Sequence, residues 1–370
     1  MDRRTALKHG AAALAGLVLP GCAPRLAERP ALASPARAHL PPVQVAEHRL
    51  IRTVAGLRPY RRSGFRVEPE RLGDKLVVHN YGHGGAGVTL SWGTADMAVE
   101  HALAQPARTA AVLGCGAVGL ATARLLQDRG FAVTIYAREL PPHTTSNVAG
   151  ALWSPVSVAD WDQREGPFAP RLARASRFAH RYFQTLVGER YGVRWLPLYM
   201  VNERAGAGIP WTWRLAPELY NAVRLEPREH PFPRPGAWHA YAMMIEPDPY
   251  LRALLEDFRA AGGRVVVRDL PDRAAVLALD EPVVLNCTGM GARALFGDPE
   301  LTPVRGQLAF LVPQPEVEYM YIAGSHYMFP RRDGILLGGT HESGADSATV
   351  DPAAIARILE GHRRIALALR

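Results

Sequence analysis

The first regular hydrophobic pattern in the body of the chain is a short apolar run that leads into glycines and then into helical spacing. Residues 76–78, LVV, form the run, and HNYGHGG occupies residues 79–85. The stretch TLSWGTADMAVEHALA follows, with apolar residues three and four positions apart. A short apolar run bounded by turn residues is typical of a buried strand, and the later spacing is typical of a helix. This part of the sequence therefore predicts a strand, a glycine loop and a helix.

A second unit of the same kind follows, and its loop carries a GxGxxG motif. The apolar run 110–113 precedes the motif, helical spacing continues to residue 130, and the run 132–136 predicts the next strand. The motif glycines are Gly114, Gly116 and Gly119. A strand before the motif, a helix after it and an acid about 20 positions further on make up the dinucleotide-binding fingerprint. Its glycines let the backbone approach a pyrophosphate at the helix N-terminus, where free N–H groups and the helix dipole favour negative charge.

The remaining patterns predict a mixed α/β chain. Residues 250–261 have amphipathic helical spacing, and residues 264–270 and 281–292 contain further strands. From residue 48 onward the chain alternates apolar and polar residues between turn signals, and residues 301–339 alternate in the same way. Alternation of this type is typical of antiparallel sheet with one covered face. We therefore expect a Rossmann-type nucleotide-binding domain and a second, mixed domain with one sheet face over a cavity.

The N-terminus has the pattern of an export signal. Arg3 and Arg4 resemble a twin-arginine signal, and the apolar run 11–19 is too short for a permanent membrane span. We expect residues 1–22 to direct export to the periplasm or the cell surface. Residues 23–44, rich in Ala, Pro and Arg, predict a linker.

Cys22 ends the sequence LPGC, and two interpretations of it stay open. The sequence resembles a lipobox, in which the cysteine is lipidated after cleavage. Otherwise it belongs to an ordinary signal peptide with an incidental cysteine. In both cases we expect membrane contact only through this leader, because no other stretch approaches the roughly 20 apolar residues of a spanning helix.

Composition and charge exclude several classes of protein. A chain of 370 residues with 48% hydrophobic and 21% charged residues is typical of a globular protein of two domains. Residues 1–40 hold six basic and two acidic residues, so they supply +4 of the net charge of +8. The body has no basic cluster interleaved with aromatic residues, and we expect no nucleic-acid partner. Three cysteines without a CxxC or HExxH pattern indicate neither a disulfide framework nor a zinc site.

His79 and His83 are four positions apart, as two metal ligands on one helix would be. The neighbouring glycines, Gly82, Gly84 and Gly85, argue against a helix there. We therefore predict no metal site and assign both histidines to packing and to hydrogen bonding of the loop backbone.

Four segments together resemble the D-amino-acid oxidase family of FAD-dependent enzymes. They are GLRPYRRSGFRVE (56–68), HNYGHGGAGVTLSWG (79–93), HTTSNVAGALWSP (143–155) and VLNCTGMGARALFGDPELTPVRGQ (284–307). The first two are specific to that family, and the resemblance covers most of the chain from about residue 48 to residue 365. It implies FAD as the cofactor and a D-amino acid and dioxygen as the small-molecule partners.

The order of these segments differs from the order in the family. In the family the arginine segment and the HNYGHGG loop close the chain, whereas here they precede the GxGxxG motif. The tail 353–370 resembles the helix that in the family leads directly into the segment found here at 45–59. We therefore predict a circular permutant, with new ends at Arg370 and near Val43, and with residues 104–109 joining the old ends.

The permuted order predicts two discontinuous domains and a C-terminal helix. The FAD-binding domain takes residues 76–160 and 245–300. The substrate domain takes residues 45–75, 161–244 and 301–350, and the helix takes residues 351–370.

By resemblance, the substrate site contains Arg58, Tyr327 and the backbone of Gly85. A guanidinium fork binds a carboxylate through two parallel hydrogen bonds, which suits Arg58 to the substrate carboxylate. The resemblance adds the Tyr327 hydroxyl to the same carboxylate and the Gly85 carbonyl as acceptor for the substrate amino group. The alternative role of an arginine, an exposed ion pair, fits the neighbours Arg61, Arg62 and Arg66 better.

The chain departs from the family four residues before Tyr327. Some members carry a second tyrosine there, and this chain has Ala323. We expect Tyr319 or Tyr321 to fill the space.

By resemblance, the cofactor site is formed by hydroxyl groups, glycines and backbone amides. The hydroxyl residues Thr144, Thr145 and Ser146 are expected at the phosphate and ribityl region. The backbone of Ala151 and Leu152 is expected along the flavin ring. The remaining cofactor-binding residues are the motif glycines with Gly84, Gly85, Gly87 and Thr89.

Two charged positions near this site differ from a simple transfer of the family pattern. Arg138 stands where the family has the ribose-binding acid, so we expect Glu139, the next residue, to bind the ribose. Arg305 has two interpretations, support of the flavin site or bracing of a sheet edge.

The resemblance implies oxidation of D-amino acids. Hydride passes from the substrate Cα to flavin N5, and the imino acid hydrolyses to a 2-oxo acid and ammonia. Dioxygen then yields hydrogen peroxide. Two alternatives stay open: a related oxidase or dehydrogenase for secondary or N-methylated amino acids, and an exported flavoprotein without turnover.

Overall fold

The computed structural model describes residues 39–164, 166–204 and 206–369. The predicted export signal with Cys22, and most of the predicted linker, lie outside the described residues.

The described chain contains fifteen strands and eight α-helices. The strands are β1 (Leu50–Arg61), β2 (Arg66–Leu72), β3 (Lys75–Tyr81), β4 (Thr109–Leu113), β5 (Ala132–Ala137), β6 (Val193–Asn202), β7 (Val223–Leu225), β8 (Gly236–Ile245), β9 (Arg264–Val267), β10 (Val283–Asn286), β11 (Leu301–Leu311), β12 (Met320–Ala323), β13 (His326–Arg331), β14 (Gly334–Gly338) and β15 (Glu342–Ser343). The helices are α1 (Gly87–Leu103), α2 (Ala117–Asp128), α3 (Phe168–Thr185), α4 (Trp211–Leu215), α5 (Pro247–Ala260), α6 (Arg273–Leu277), α7 (Gly291–Phe296) and α8 (Pro352–Ala368).

The first of two sheets in the described chain carries the nucleotide-binding pattern. It has six strands in the order β2-β3-β10-β4-β5-β9. All neighbours in it are parallel except β2 and β3. Strands β3 and β10 are buried along their whole length, because helices cover a parallel sheet on both faces. The sheet includes β2, so the predicted boundary that gave residues 45–75 to the substrate domain is wrong for residues 66–72.

The second sheet has nine strands in the order β1-β11-β14-β13-β12-β6-β8-β7, with β15 paired to β11. The antiparallel pattern predicted for residues 301–339 is confirmed, and β12 adds one parallel contact with β6. Strands β1 and β11 pair over their length, with Gly56 opposite Gly306 and Arg58 opposite Val304. This pairing makes the first half of the predicted arginine segment, residues 56–61, part of the second sheet.

Helix α8 begins with two standard start signals. Asp351 caps its N-terminus by accepting a hydrogen bond from the Ala353 amide at 2.9 Å, and Pro352 occupies the first turn. The buried face of α8, which includes Ile355, Ile358 and His362, packs against β11, β13 and β14. Among the described residues, no helix is long and apolar enough to cross a membrane.

The beginning and the end of the described chain share one apolar cluster. Leu40 and Val43 belong to it together with Ile358, and the partly buried Leu369 packs against it. The Tyr319 hydroxyl also donates to the Pro41 carbonyl at 2.9 Å. Neighbouring ends are what a permuted order requires, and the permutation itself stays a prediction.

Candidate active site

A cavity of about 360 Å³ lies where the two sheets meet. The six-stranded sheet contributes the carboxyl ends of β3, β4, β5 and β10, and the nine-stranded sheet contributes β1, β11 and β13. Ligands of open α/β sheets bind at the carboxyl ends of the strands, and the volume falls in the range of small-molecule sites.

The GxGxxG motif forms one end of this cavity. Gly114 has a φ of 101°, and a Cβ there would lie 2.6 Å from the Cys287 carbonyl oxygen. A Cβ at Gly119 would overlap the carbonyl oxygen of Gly114. The glycines therefore let α2 begin directly against the sheet, with its N-terminus at the cavity.

The hydroxyl segment lies at the same helix N-terminus. Thr144, Thr145 and Ser146 line the cavity, as predicted from the resemblance. Ser146 Oγ accepts a hydrogen bond from the Ala117 amide at 3.0 Å. The first turn of a helix has N–H groups without a partner inside the helix, and the Ser146 hydroxyl accepts from one of them. A ligand oxygen at the same place could accept from this N–H instead.

Arg138 and Glu139 line the cavity after β5 and are both largely exposed. Arg138 Nε lies 4.0 Å from Glu139 Oε1, so the two side chains form a long, exposed ion pair. Residues 268–270, which follow β9, line the same end, and the sequence analysis did not identify them. Their position after a parallel strand beside β5 is the signal that points to them.

The HNYGHGG loop forms the middle of the cavity wall. Gly84, Gly85 and Gly87 all line it. The Gly85 amide donates to the Ser157 carbonyl at 3.1 Å, and a Cβ at Gly84 would overlap that same carbonyl oxygen. The turn that contains Ser157 therefore fixes the loop from outside, a role that the sequence analysis did not identify.

The two histidines of this segment are buried, and each bonds to side chains. His83 Nε2 lies 2.9 Å from Thr94 Oγ1, and burial lowers the pKa of His83 to about 3. His79 belongs to β3, with Nε2 2.8 Å from Glu70 Oε2. The expected hydrogen bonding to loop backbone is thus wrong in its partner, since both contacts are to side chains. Within the described residues, His, Cys, Asp and Glu form no cluster of three or more suited to a metal ion.

Arg58 lines the cavity from β1 of the nine-stranded sheet, whereas Glu139 lines it after β5 of the six-stranded sheet. Its guanidinium rests on Gly306, where a Cβ would overlap it. Arg58 Nη1 is buried, and no acceptor in the described chain bonds to it. The guanidinium also hydrogen-bonds to the Tyr327 side chain, but the buried Nη1 stays unpaired, and a buried N–H without an acceptor is costly. An anionic ligand beside Arg58 would remove that cost.

Tyr327 lines the cavity beside Arg58. Its ring stacks on Phe329 at 5.3 Å between centres and lies across Gly338, where a Cβ would overlap it. Loss of hydration raises the pKa of Tyr327, and the positive charge of Arg58 and its hydrogen bond to the phenol oppose that rise. The phenol is therefore protonated at neutral pH and can donate a hydrogen bond.

Three predicted cofactor residues lie beside the cavity and do not line it. The backbone turns at Ala151, which has a φ of 104°, and the Ala151 carbonyl accepts from the Ile245 amide at 2.7 Å. Leu152 forms a β-bridge with Met244. Residues 148–150 line the cavity in their place. Thr89 is buried, and its hydroxyl lies 3.2 Å from the Ser154 carbonyl.

The expected replacement of the second tyrosine is wrong. Tyr319 and Tyr321 are buried in the apolar cluster under α8, on the sheet face away from the cavity. Ala323 belongs to that cluster too. The cross-strand pairs explain this placement, because Ile322, not Tyr321, lies opposite Tyr327.

The other arginines have structural partners. Arg305 braces a sheet edge, with Nε 2.6 Å from Glu342 Oε2, and it does not line the cavity. Arg62 forms the exposed ion pair that was expected, with Asp160. Arg61 departs from that expectation, because its largely buried guanidinium lies 2.9 Å from the buried Asp298.

The residues of this cavity fit FAD. The glycine motif and the N-terminus of α2 suit a pyrophosphate, and Glu139 suits a ribose. Between these groups and Arg58, apolar side chains suit a flat ring, and these are Val88, Val148, Met290 and Leu308.

Comparison with sequence models of protein families finds a match over two segments. The model described as "DAO: FAD dependent oxidoreductase" matches residues 11–101 and 109–368. The unmatched residues 102–108 overlap the predicted connection 104–109, and the permutation itself stays a prediction.

Two similar proteins are D-amino-acid oxidases. The protein of Rubrobacter xylanophilus is 36% identical over 260 residues, which cover 68% of this chain and 74% of the relative. The protein of Streptomyces coelicolor is 35% identical over 255 residues, which cover 67% of this chain and 74% of the relative.

Solved structures share the fold. Glycine oxidase from Bacillus cereus superimposes with a TM-score of 0.53 at 17% identity, over 71% of this chain and 79% of its own. L-α-glycerophosphate oxidase from Mycoplasma pneumoniae, solved with FAD bound, gives a TM-score of 0.52 at 16% identity over 71% and 79%. Identities this low show a common fold alone.

Proposed function

The chain belongs to the DAO family of FAD-dependent oxidoreductases, and from this premise we propose that it is a D-amino-acid oxidase. The observation that carries the proposal is Arg58 Nη1, a buried donor without a partner in the cavity that the nucleotide fingerprint also lines. The two similar D-amino-acid oxidases support the same substrate class.

The side chains bind and orient the substrate. The Arg58 fork binds the carboxylate through parallel hydrogen bonds, and the protonated Tyr327 hydroxyl donates a further one. The Gly85 carbonyl accepts from the amino group. Three fixed contacts orient the Cα–H of one enantiomer toward the middle of the cavity, and the apolar lining keeps water away from it.

FAD supplies the redox chemistry when bound, by accepting a hydride from the substrate Cα and passing the electron pair to dioxygen. The net reaction converts a D-amino acid, dioxygen and water into a 2-oxo acid, ammonia and hydrogen peroxide. The protein's share of the catalysis is positioning, so no side chain is required as a general base.

An anaerobic panel of D- and L-amino acids tests this function. We expect the yellow flavin absorbance to bleach with D-amino acids and to stay with their L-enantiomers. Admission of air should restore the colour and release one hydrogen peroxide for each substrate. Bleaching only by glycine or N-methylated amino acids would assign the chain to the related amine oxidases, and no bleaching at all would contradict an oxidase.

We also propose that the chain is exported by the twin-arginine route and lipidated at Cys22. The support is the leader sequence alone, with Arg3, Arg4 and LPGC. Replacing both arginines by lysine should leave the protein in the cytoplasm, and Cys22→Ala should release it from the membrane fraction. Export of the double lysine variant, or membrane retention of the alanine variant, would contradict the corresponding part.

A further inference from the structure

A buried histidine on the C-terminal helix lies behind the substrate end of the cavity. His362, on α8, is fully buried and does not line the cavity. The Tyr321 hydroxyl oxygen lies 2.6 Å from its Nδ1, and the Gly338 carbonyl oxygen lies 3.0 Å from its Nε2. These contacts connect α8 to β12 and β14.

The chemistry of the partners fixes the proton positions on this ring. Burial lowers the pKa of His362 to about 3, so the imidazole is neutral and carries one N–H. A carbonyl oxygen only accepts, so Nε2 is the nitrogen that donates to Gly338. Nδ1 is then the acceptor, and the Tyr321 hydroxyl donates to it. Tyr321 thus holds His362 in the tautomer that bonds to Gly338.

Gly338 is the backbone on which the Tyr327 ring lies. The two residues are direct partners between β13 and β14, and a Cβ at position 338 would overlap the ring. Gly339 follows, and consecutive glycines have more backbone freedom than other residues. The hydrogen bond from His362 therefore restrains a flexible backbone segment that supports the phenol.

The residue beside Tyr327 is held by the same helix. The His326 ring meets His362 edge to face, with 5.1 Å between centres and an angle of 83°. A Cβ at Gly361 would overlap the His326 ring. Because successive residues of a strand point to opposite faces, α8 supports β13 from the face opposite the cavity.

We propose that His362 is a positioning residue, which holds the Tyr327 phenol at the substrate end of the cavity through the Gly338 carbonyl. Helix α8 then influences substrate affinity without touching the substrate. The part of this inference that concerns affinity rests on the proposed function, in which Tyr327 binds the substrate carboxylate.

Two substitutions at position 362 distinguish the loss of the hydrogen bond to Gly338 from the loss of the imidazole ring. Glutamine can place an amide N–H near the position of Nε2, whereas the shorter asparagine cannot reach Gly338. For His362→Asn we expect KM for the preferred D-amino acid to rise about tenfold, with kcat within about twofold of the parent value. His362→Gln should restore KM to within about threefold of the parent. Arg357→Gln, on the exposed side of α8, is the control and should change neither constant.

A double-mutant cycle tests whether the effect passes through Tyr327. In a Tyr327→Phe background, His362→Asn should raise KM by less than about twofold, because the hydroxyl that it positions is already absent. An unreduced, roughly tenfold effect in that background would overturn the proposal and assign His362 to general stability.

Crystal structures of the variants give a readout that does not depend on turnover. We expect the Tyr327 ring to shift by about 1 Å or more in His362→Asn and to stay in place in His362→Gln. If the ring shifts but no D-amino acid is oxidised by the parent, the positioning role stands and the proposed function fails. A ring that stays in place in His362→Asn overturns the positioning role whatever the turnover.

A second variant keeps the test valid if His362→Asn does not fold. Tyr321→Phe removes the donor that fixes the tautomer and leaves the imidazole in place. We expect the Tyr327 ring to shift and KM to rise about threefold. An unmoved ring with unchanged KM in this variant would overturn the proposal.

Discussion

At the scale of single residues, two glycines leave room for the side chains that are proposed to bind the substrate carboxylate. Gly306 lies under the guanidinium of Arg58, and Gly338 lies under the ring of Tyr327. Neither position has room for a Cβ, because the functional side chain lies flat on the strand backbone. A larger residue at either glycine would push the neighbouring long side chain away from the strand and change its position in the cavity.

Replacing Arg58 by leucine should remove carboxylate binding and leave the cofactor in place. We expect kcat/KM for D-amino acids to fall by about 10³-fold, since loss of one partner of a desolvated charge pair costs about 4 kcal/mol. Stopped-flow flavin reduction measures this, and the flavin absorbance per protein should be unchanged. Arg58→Lys keeps the positive charge but loses the two parallel N–H groups, so its kcat/KM should lie between those of the parent and the leucine variant. Unchanged turnover in the leucine variant would remove Arg58 from the site.

At the scale of elements, the start of α2 depends on close approach to β4. Gly119 packs on the Gly114 backbone so tightly that a methyl group would overlap it. Gly130, beyond the far end of the same helix, has open space around its Cα and a φ of 81°. Glycine is therefore needed at position 119 because no side chain fits there, and at position 130 because of the backbone conformation.

Gly119→Ala should weaken FAD binding by moving the helix N-terminus away from the sheet. We expect the Kd of the apoprotein for FAD to rise at least about tenfold, as measured by quenching of flavin fluorescence. The matched variant Gly130→Ala should cost about 1 kcal/mol of stability through its backbone conformation and leave the Kd unchanged. Equal Kd values for the two variants would contradict a role of this helix terminus in binding.

A buried polar cluster joins the two sheets at β1 and β3. Asp298 accepts hydrogen bonds from Arg61 on β1 at 2.9 Å and from Tyr81 on β3 at 2.7 Å. Burial alone would raise the pKa of Asp298, but the Tyr81 hydrogen bond and the Arg61 charge outweigh it and hold the pKa below its ordinary value. The folded state therefore favours the carboxylate, which fixes one strand of each sheet.

This cluster predicts a dependence of stability on pH. A lowered folded pKa stabilises the protein above the unfolded pKa of about 4, and that contribution is lost as the pH falls through the folded value. Asp298→Asn should lower the free energy of unfolding at pH 7 by about 3 kcal/mol and reduce its loss on acidification. Urea unfolding of the FAD-saturated protein at pH 7, 5 and 4 measures both effects. Glu218→Gln, at an exposed pair with Arg177, should change stability by less than about 0.5 kcal/mol.

At the scale of the whole molecule, the cavity is lined by segments that are far apart in the sequence. The segment around Arg58 precedes the fingerprint at Gly114, and Tyr327 follows both. Residues near the two ends of the described chain, Leu40 and Leu369, contact one apolar cluster. The ends of the described chain therefore lie close together, as the predicted permutation requires.

A rearranged chain tests the predicted permutation. It would start at Arg108, run to Leu369 and continue through a short flexible linker into residues 39–105, so that Leu40 and Pro41 keep their contacts. We expect it to bind FAD and to retain activity within about tenfold of the parent, because the chain is opened at the exposed Arg108 and the linker joins ends that contact one apolar cluster. A second rearrangement, opened inside the buried strand β10, should not fold. Failure of the first to fold under conditions that preserve the parent would contradict the permutation.

Local patterns were sufficient for the nucleotide-binding half of the site. The order strand, glycine turn and helix is encoded within about 30 residues, and the structure has it at β4, Gly114 and α2. Ala151 and Leu152 were predicted at the flavin ring from the family resemblance. The turn at Ala151 directs them to β8 instead, and no periodicity in the sequence indicates that turn.

The sequence by itself determined the two strand–glycine–helix units and the fingerprint, because these depend on neighbours in the chain, and the family resemblance added Arg58 and Tyr327 as residues suited to a carboxylate. The tertiary structure alone decided which side chains face one another. Alternation along β12 and β13 gives each strand two faces, but only the pairing of Ile322 with Tyr327 decides that Tyr321 lies under α8 and Tyr327 lies at the cavity. The physical reason is that a shift of one residue in register exchanges the two faces of a strand, and register is set by partners distant in sequence.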